Sequence, residues 1–519
     1  MSTETQKTAT HQIARAAGTV MAAFIISNLI GLVRQILVAK AFGTGPALDA
    51  FTAANRIPET LFNLVAGGAL GSAFIPTFTG LLAQKKREKA WKLASAITNL
   101  VFLTVTVIAA IAAIFAPQVV RVLAPGVAAD PDKMALTISL TRIMLPSAVL
   151  FGLSGLVMGI LNSKQVFFIP ALTPSMYQVG MIFGVLVLAP TMGIYGLAWG
   201  VVIGAGLHLI LQLPALLRQN GAYTPTLGLD LPSVREVARL MGPRLLGVAV
   251  VQLNFWVNVR LASQQPEGSV AAIQFAFALM LMPQAAIAQS IAIAALPTFS
   301  AQVAQNRLGE MRSSLATSLR GVIFLALPAS AGLILLRQPI IALLYQRGEF
   351  TSHSTSLVAW ALLWYAAGLV GHSVVEILAR AFYALHDTKT PVFVGAGAMT
   401  LNVVFSYAFA ALFASWGWMP HGGLALANSL ATALEMVILF FLMRKRLGGI
   451  KGGEILQGGL SATLATVGMA LALWGWLSKF GDSAVWLVAG GGVLVGGVVY
   501  AGVILLLGVK EVRELRVRR

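Results

Sequence analysis

The sequence predicts an all-α polytopic membrane protein of about fourteen transmembrane helices. These are expected as two six-helix bundles related by pseudo-two-fold symmetry, with two extra C-terminal helices. Three observations predict this: an apolar composition, a regular recurrence of bilayer-length apolar stretches, and an internal repeat.

Of 519 residues, 58% are hydrophobic and only 10% charged, against about 25% charged in an ordinary soluble domain. A mean hydropathy of +0.83 excludes a disordered chain, a nucleic-acid-binding domain and most soluble enzymes. Cys is absent, which excludes a disulfide framework, a thiolate metal site and a thiol nucleophile. The six His and 18 acidic residues form no H-x-x-x-H motif or paired-acid cluster. No metal, no nucleic-acid partner and no enzymatic chemistry are therefore expected.

Apolar stretches of about 20 residues qualify as membrane helices. They fall near 14–38, 48–80, 93–116, 134–161, 167–190, 193–217, 242–264, 268–299, 318–343, 354–384, 391–414, 419–443, 454–478 and 482–508. Met1–Thr10 is polar and lacks the layout of a cleaved signal peptide, so the first span is expected to act as its own insertion signal.

The net charge of +18 has a topological reading. With the N-terminus placed in the cytoplasm, 25 of the 36 Lys and Arg fall in inner segments, 7 in outer ones and 4 within spans. That asymmetry supports an even span count and two cytoplasmic termini. The Gln84–Lys92 run and the Val509–Arg519 tail are then topology signals in contact with anionic membrane lipids.

Two halves of the chain echo each other. Ile57-Pro58, Ile75-Pro76-Thr77-Phe78 and Ala83-Gln84 recur as Met282-Pro283, Leu296-Pro297-Thr298-Phe299 and Ala304-Gln305. Gly196-Leu197-Ala198 matches Gly423-Leu424-Ala425, and the offsets are 221 and 227 residues. Each repeat holds an even number of spans, so both halves enter the membrane in the same orientation, as in alternating-access transporters. The expected divisions are a bundle over 1–217, a bundle over 218–446, and two helices with a basic tail over 447–519. Pro58, Pro146, Pro174, Pro283 and Pro328 mark kinked or broken helices. Gly490–Gly492 and Gly496-Gly497 permit close helix contact, or line a lipid-facing groove.

No G-x-x-x-x-G-K-[ST] or strand-borne G-x-G-x-x-G occurs, so transport by this chain is passive, ion-coupled or partner-driven. Arg within the bilayer costs about 2.5–3.5 kcal/mol on insertion scales and should face a cavity or a partner. Arg56 precedes Glu59 by three residues and Arg380 follows Glu376 by four, spacings that favour ion pairs on one helix face. Arg34 has no such local acid and reads as an anion-binding residue. Arg142 reads either as an anion ligand or as a residue snorkelling to the inner headgroups. Glu435 is a proton or cation site, or a buried acid bonded across helices. Asn402 with Ser406, and Asn428, read as interhelical glue or as a sodium site. Asp49 caps the second span or gates it.

The motifs Asn28-x-x-Gly31-x-x-Arg34, Phe42-Gly43-Thr44-Gly45, Asp49-Ala50-Phe51, Arg56-Ile57-Pro58, Gly68-Ala69 and Ala73-Phe74-Ile75-Pro76 resemble the start of the MurJ/MviN family. Ile160-Leu161-Asn162, Ile169-Pro170-Ala171, Met241-Gly242-Pro243 and Arg380-Ala381-Phe382-Tyr383 through Asp387-x-Lys389-Thr390-Pro391 extend the resemblance along nearly the whole chain. The resemblance implies a lipid II flippase of the MOP superfamily in the bacterial plasma membrane, acting in peptidoglycan biosynthesis and cell shape. It implies inner-to-outer movement of an undecaprenyl-pyrophosphate-linked precursor, coupling to membrane potential, sodium or protons, and a tail groove from spans 13 and 14. Substrate-binding roles are expected for Arg34, Arg56, Arg142 and Arg380, and gating or ion-coupling roles for Asp49, Glu59, Glu376, Glu435, Asn402 and Asn428. The chain departs from the family pattern at Asn28, Phe62, Gly67 and Ala276–Leu279, where charged residues are common. A flippase for another polyprenyl-pyrophosphate glycan, a cation-coupled multidrug-type exporter and a membrane scaffold are the competing expectations.

Overall fold

The computed structural model describes residues 23, 25–65 and 69–507, and all of the regular structure among them is helical. The polar start Met1–Thr10, Gly67, Gly68 and the Val509–Arg519 tail lie outside the described residues. Two compact units divide the chain, Met1–Glu267 and Gly268–Arg519.

The first unit comprises α1 (Ile25–Phe42), α2 (Pro46–Val65), α3 (Ala69–Ala83), α4 (Arg87–Ile114), α5 (Pro131–Ser163), α6 (Phe168–Met192), α7 (Ile194–Leu217) and α8 (Pro232–Ser263). Its core joins Phe74 and Phe78 of α3, Trp91 and Leu93 of α4, Leu156 and Ile160 of α5, and Val234 and Val237 of α8. The Phe78 ring centroid lies 5.1 Å from Phe74 and 5.9 Å from Trp91. Between helices in lipid the driving force is such packing rather than removal of apolar surface from water.

The contact boundary after Glu267 follows α8, whereas the repeat alone divides the chain at 217/218. The connection 218–231 explains why α8 sits with the first unit. Arg87 Nη2 donates to the carbonyls of Gln219 and Asn220 at 2.9 and 3.0 Å. Asn99 Nδ2 donates to the Thr226 carbonyl at 2.8 Å, and the Tyr223 hydroxyl donates to Asn99 Oδ1 at 2.8 Å. The strap is thus sewn along α4 and delivers α8 onto α3.

The second unit comprises α9 (Ser269–Ala304), α10 (Leu308–Leu335), α11 (Ser352–Ala367), α12 (Leu369–Ala384), α13 (Lys389–Ser415), α14 (His421–Leu447), α15 (Gly452–Phe480) and α16 (Leu487–Leu506). Phe299, Met311, Leu315, Ile377, Phe382 and Leu439 form its main core. The last two helices pack on α10 through Phe324, Ala462, Ala465 and Ile504, and the Tyr500 hydroxyl donates to the Phe324 carbonyl at 2.6 Å. Side chains of Trp476 and Leu473 lie close over Gly491 and Gly496, while Gly490 and Gly497 face open space. The glycines of α16 therefore serve packing on one face only.

The repeat is visible in the interior of each unit. Phe78 and Phe299 are both fully buried, as are Leu197, Ala198, Leu424 and Ala425. Gly196 and Gly423 each lie under neighbouring backbone, so that a Cβ would stand 2.4 Å from Ala189 N and 2.6 Å from the Phe409 carbonyl carbon. The turns after α3 and α9 close identically. Lys85 and Asn306 take positive φ, and Lys86 N and Arg307 N reach back to the carbonyls of Leu81 and Gln302. The turns after α5 and α12 do the same at Gln165 and His386. These are Schellman closures. Both pairs stand 221 residues apart, the offset of Pro76 and Pro297.

Eleven of the helices are long and apolar enough to cross a membrane, or up to thirteen if each bent pair is one span. The expected count of about fourteen is compatible with this. The other expected span contains α2, which is 20 residues long but carries Asp49, Arg56 and Glu59. Its polarity, not its length, sets it apart.

The pair α11 and α12 bends by 44° at Gly368. A break inside a bilayer strands carbonyls that must find other donors. Ser429 Oγ donates to the Trp364 carbonyl at 2.7 Å, and Ser330 Oγ donates to the Ala366 carbonyl at 2.6 Å. A Cβ on Gly368 would stand 2.4 Å from Ser429 Oγ, so the donor and the break require glycine here. At the far end of α12, Asp387 opens α13. Its carboxylate accepts from the Thr390 N–H at 3.0 Å and from the Thr390 hydroxyl at 2.8 Å. Those two bonds hold the Asp387 carboxyl below the usual carboxylate range.

Gly368→Leu should therefore lower the melting temperature in detergent markedly, while Gly397→Ala, with nothing within 4 Å of its Cβ position, should not. A depressed carboxyl pKa stabilises the fold above the unfolded value and loses that effect as pH falls. The melting-temperature gap between wild type and Asp387→Asn should be open at neutral pH. It should close on acidification below about pH 4.

Candidate functional site

Charged and polar side chains of the first unit gather where α1, α2, α6 and α8 carry them. Arg34 is half-buried on α1, and its Nη1 approaches Met181 Sδ of α6 at 3.4 Å. One turn before Met181, the Tyr177 hydroxyl hydrogen-bonds the Asn55 side chain of α2 and lies within electrostatic reach of both Arg34 and Glu59. Arg56 Nη1 pairs with Glu59 Oε2 at 3.1 Å, the i, i+3 contact expected from spacing. The Arg56 guanidinium also lies 5.0 Å from the centroid of Phe255 on α8. Arg56 is 13% exposed and Glu59 40%, so the acid side of the pair is the accessible one.

A polar seam continues this cluster along α2 and α8. Trp256 Nε1 donates to Thr60 Oγ1 at 2.8 Å, and Thr60 Oγ1 in turn donates to the Arg56 carbonyl at 2.7 Å. Gln252 Oε1 lies 3.5 Å from the same hydroxyl. Asp49 is buried in the first turn of α2 and within electrostatic reach of Lys133 in the first turn of α5.

Arg142 stands apart from this cluster. It is exposed, and its Nε donates to the Ala113 carbonyl at 3.0 Å, in the last turn of α4. The opposite end of α4 carries Arg87, Lys89 and Lys92. Arg142 therefore reaches the end of α4 away from that basic run. A cation beside the last carbonyls of a helix complements its dipole.

The second unit holds a separate polar face. Arg380 Nη2 donates to Glu376 Oε1 at 2.7 Å on α12. One turn earlier, His372 Nε2 lies 3.0 Å from Asn428 Oδ1 and 3.4 Å from Thr432 Oγ1 on α14. His372, Glu376 and Arg380 thus form one line along α12. Glu435, one turn beyond Thr432, turns its carboxylate towards Gly395 of α13. Asn402 is buried and its Oδ1 accepts from Ser406 Oγ at 3.1 Å. Among the described residues no group of three or more His, Cys, Asp or Glu could hold a metal ion.

Sequence reasoning missed Tyr177, the α8 face and His372. Signals existed: Tyr177-Gln178 is a polar pair inside an apolar span, and Gln252, Asn254 and Asn258 recur within seven residues of another. Intramembrane polar groups face partners or cavities by default.

Many apolar helices, paired and partly broken, with ion pairs held inside them, define a multi-pass membrane protein of transporter type. The chain belongs to the MurJ family, whose model, described as lipid II flippase MurJ, matches residues 38–515. It is 33% identical over 440 residues to the lipid II flippase MurJ of Burkholderia cenocepacia, covering 83% of this chain and 84% of that one. It is 30% identical over 513 residues to a probable lipid II flippase MurJ of Vibrio cholerae, covering 95% of each. Among solved structures, a lipid II flippase MurJ in an inward closed conformation matches with a TM-score of 0.81 at 25% identity, covering 94% of this chain and 98% of that one. A multidrug resistance MATE family transporter of the MOP superfamily, inward-facing, matches with a TM-score of 0.70 at 16% identity, covering 84% of this chain and 99% of that one, which shows a shared fold.

The seam between α2 and α8 makes a stability prediction. Thr60→Val should cost about 1 kcal/mol, read as a lower melting temperature. Trp256→Phe should cost little more when added to Thr60→Val, because both remove one bond.

Proposed function

We propose that this chain is a flippase that carries lipid II from the inner to the outer leaflet by alternating access, without making or breaking a covalent bond. Membership of the MurJ family across residues 38–515 is the observation that carries the reading. Arg34 supplies the chemistry. A pyrophosphate crossing a hydrocarbon layer must keep a compensating cation, and a guanidinium offers it a fork of donors. Arg34 projects from an apolar helix into the Tyr177 cluster, while Arg56 is committed to Glu59 and Phe255. In this reading Arg34 is the primary pyrophosphate ligand, and Arg56 assists when Glu59 moves. Asp49 and Glu59 act in gating, and Glu376 with Arg380 serves the second unit in the same way.

The termini are cytoplasmic in this reading. Within the second unit, Trp416 and Trp418 pack with Trp360, Trp364 and Phe413 at one end of α13, while Lys389 and Arg444–Arg446 mark the other end of the α13–α14 hairpin. An aromatic belt at one interface and basic residues at the other fit the inner-membrane orientation read from the loops. Transport is coupled to membrane potential or to a proton or sodium ion, with Glu435, Asn402 and Asn428 as the coupling groups.

A second reading, a cation-coupled exporter, is favoured by one observation: among the described residues Glu435 has no ion-pair partner. Complementation of a strain depleted of its own flippase separates the two. Wild type and Arg142→Ala should restore growth and Arg34→Ala should not. Failure of well-expressed wild type would sink the lipid II reading, and growth with Arg34→Ala would remove the assigned role of that residue. Drug export lost in Glu435→Gln but kept in Arg34→Ala would establish the exporter instead.

A further inference from the structure

Beyond the polar face of α12, a cavity of about 370 Å³ opens at the C-terminal end of α14, lined by Phe441, Arg444, Lys445, Gly448 and Gly449. Arg312 of α10 joins it from the side. Its Nη2 would stand 3.1 Å from a Cβ on Gly448, and its Nε is buried without a hydrogen-bond partner. Gly448 and Gly449 both have positive φ and close the helix by donating to the carbonyls of Lys445 and Arg444. The missing side chains at these two positions give the cavity its room.

The acids nearby are already engaged. Glu454 pairs with Arg320 at 3.3 Å and with Lys451 at 3.5 Å, and Glu310 pairs with Arg307 at 3.6 Å. Asp387 is bonded to Thr390 and lies in electrostatic reach of Arg446. Among the described residues no carboxylate is left for Arg312, Arg444 or Lys445. Three cations without a counter-ion repel one another, and a bound anion would relieve that repulsion.

Depth identifies the anion. Helix α14 has 27 residues, about 40 Å at 1.5 Å per residue, against a hydrocarbon layer of about 30 Å. A centred helix leaves Arg444 and Lys445 at headgroup level. Phe441, 58% exposed and one turn deeper, then lies among acyl chains. Cations above an apolar ring match a phosphodiester headgroup above its own tails. We infer that Arg312, Arg444 and Lys445 form a binding site for the headgroup of an anionic phospholipid, seated on Phe441.

The test uses the full-length protein, delipidated in detergent and titrated with dioleoylphosphatidylglycerol or dioleoylphosphatidylcholine, with bound lipids counted by native mass spectrometry. The expected result is one retained phosphatidylglycerol, preferred over phosphatidylcholine by about tenfold or more. Arg444→Gln/Lys445→Gln should weaken it by a similar factor, and Arg312→Gln alone should weaken it measurably while the melting temperature is kept. Arg142→Gln, which removes one cation elsewhere, should leave it intact. Unchanged phosphatidylglycerol binding in Arg312→Gln and in the double variant would overturn the site. Equal loss with Arg142→Gln would reduce it to general charge. Displacement by inorganic phosphate as readily as by added phosphatidylglycerol would show a free-phosphate site and overturn the lipid assignment. None of these readouts depends on lipid II transport.

Discussion

A hydrocarbon layer offers no hydrogen bonds, so each polar group that enters it must bring its partner along. Most of the polar side chains in the spans obey this locally. Thr98, Thr141, Ser373 and Thr466 each return their hydroxyl to the carbonyl four residues back. Where the backbone itself breaks, the partner comes from another helix, as Ser429 and Ser330 do for the carbonyls before Gly368. The helix break is therefore a three-helix feature, and α11 cannot straighten or turn without disturbing α10 and α14.

The same constraint sorts the charges. Arg56 satisfies it with Glu59 and an aromatic face, and Arg380 with Glu376 and Tyr383. Each pair is nearly neutral seen from a distance, which lets it stay in the membrane at modest cost. Burying such pairs is rarely a gain in stability, since the desolvation of two ions offsets their attraction.

Much of this was legible in the residues. Span positions follow from apolar length alone, and the paired prolines and phenylalanines gave the repeat because each sits at a packing contact the fold needs twice. Ion pairs at i, i+3 and i, i+4 are written in the spacing. What stayed hidden depends on contacts between helices distant in sequence. No local pattern says that α8 is carried onto α3 by a strap along α4, or that Arg142 turns to the last carbonyls of α4. His372 gains its meaning only from Asn428 and Thr432, more than fifty residues on. The expected span over 48–80 contains α2, whose Asp49, Arg56 and Glu59 make it more polar than the helices that are apolar enough to cross a membrane.

The identical turns at Gln165 and His386 fix a register between α5 and α12, and that register supplies a comparison inside one molecule. At the same offset of 221, the positions of His372, Glu376 and Arg380 are held in α5 by Phe151, Gly155 and Gly159. One copy of the scaffold thus forms this helix and its closing turn with an aromatic ring and two glycines where the other carries an imidazole, an acid and a guanidinium. The helix and its closing turn do not themselves require those three polar side chains. The duplicated scaffold therefore carries a line of polar side chains in one copy and a line of packing residues in the other.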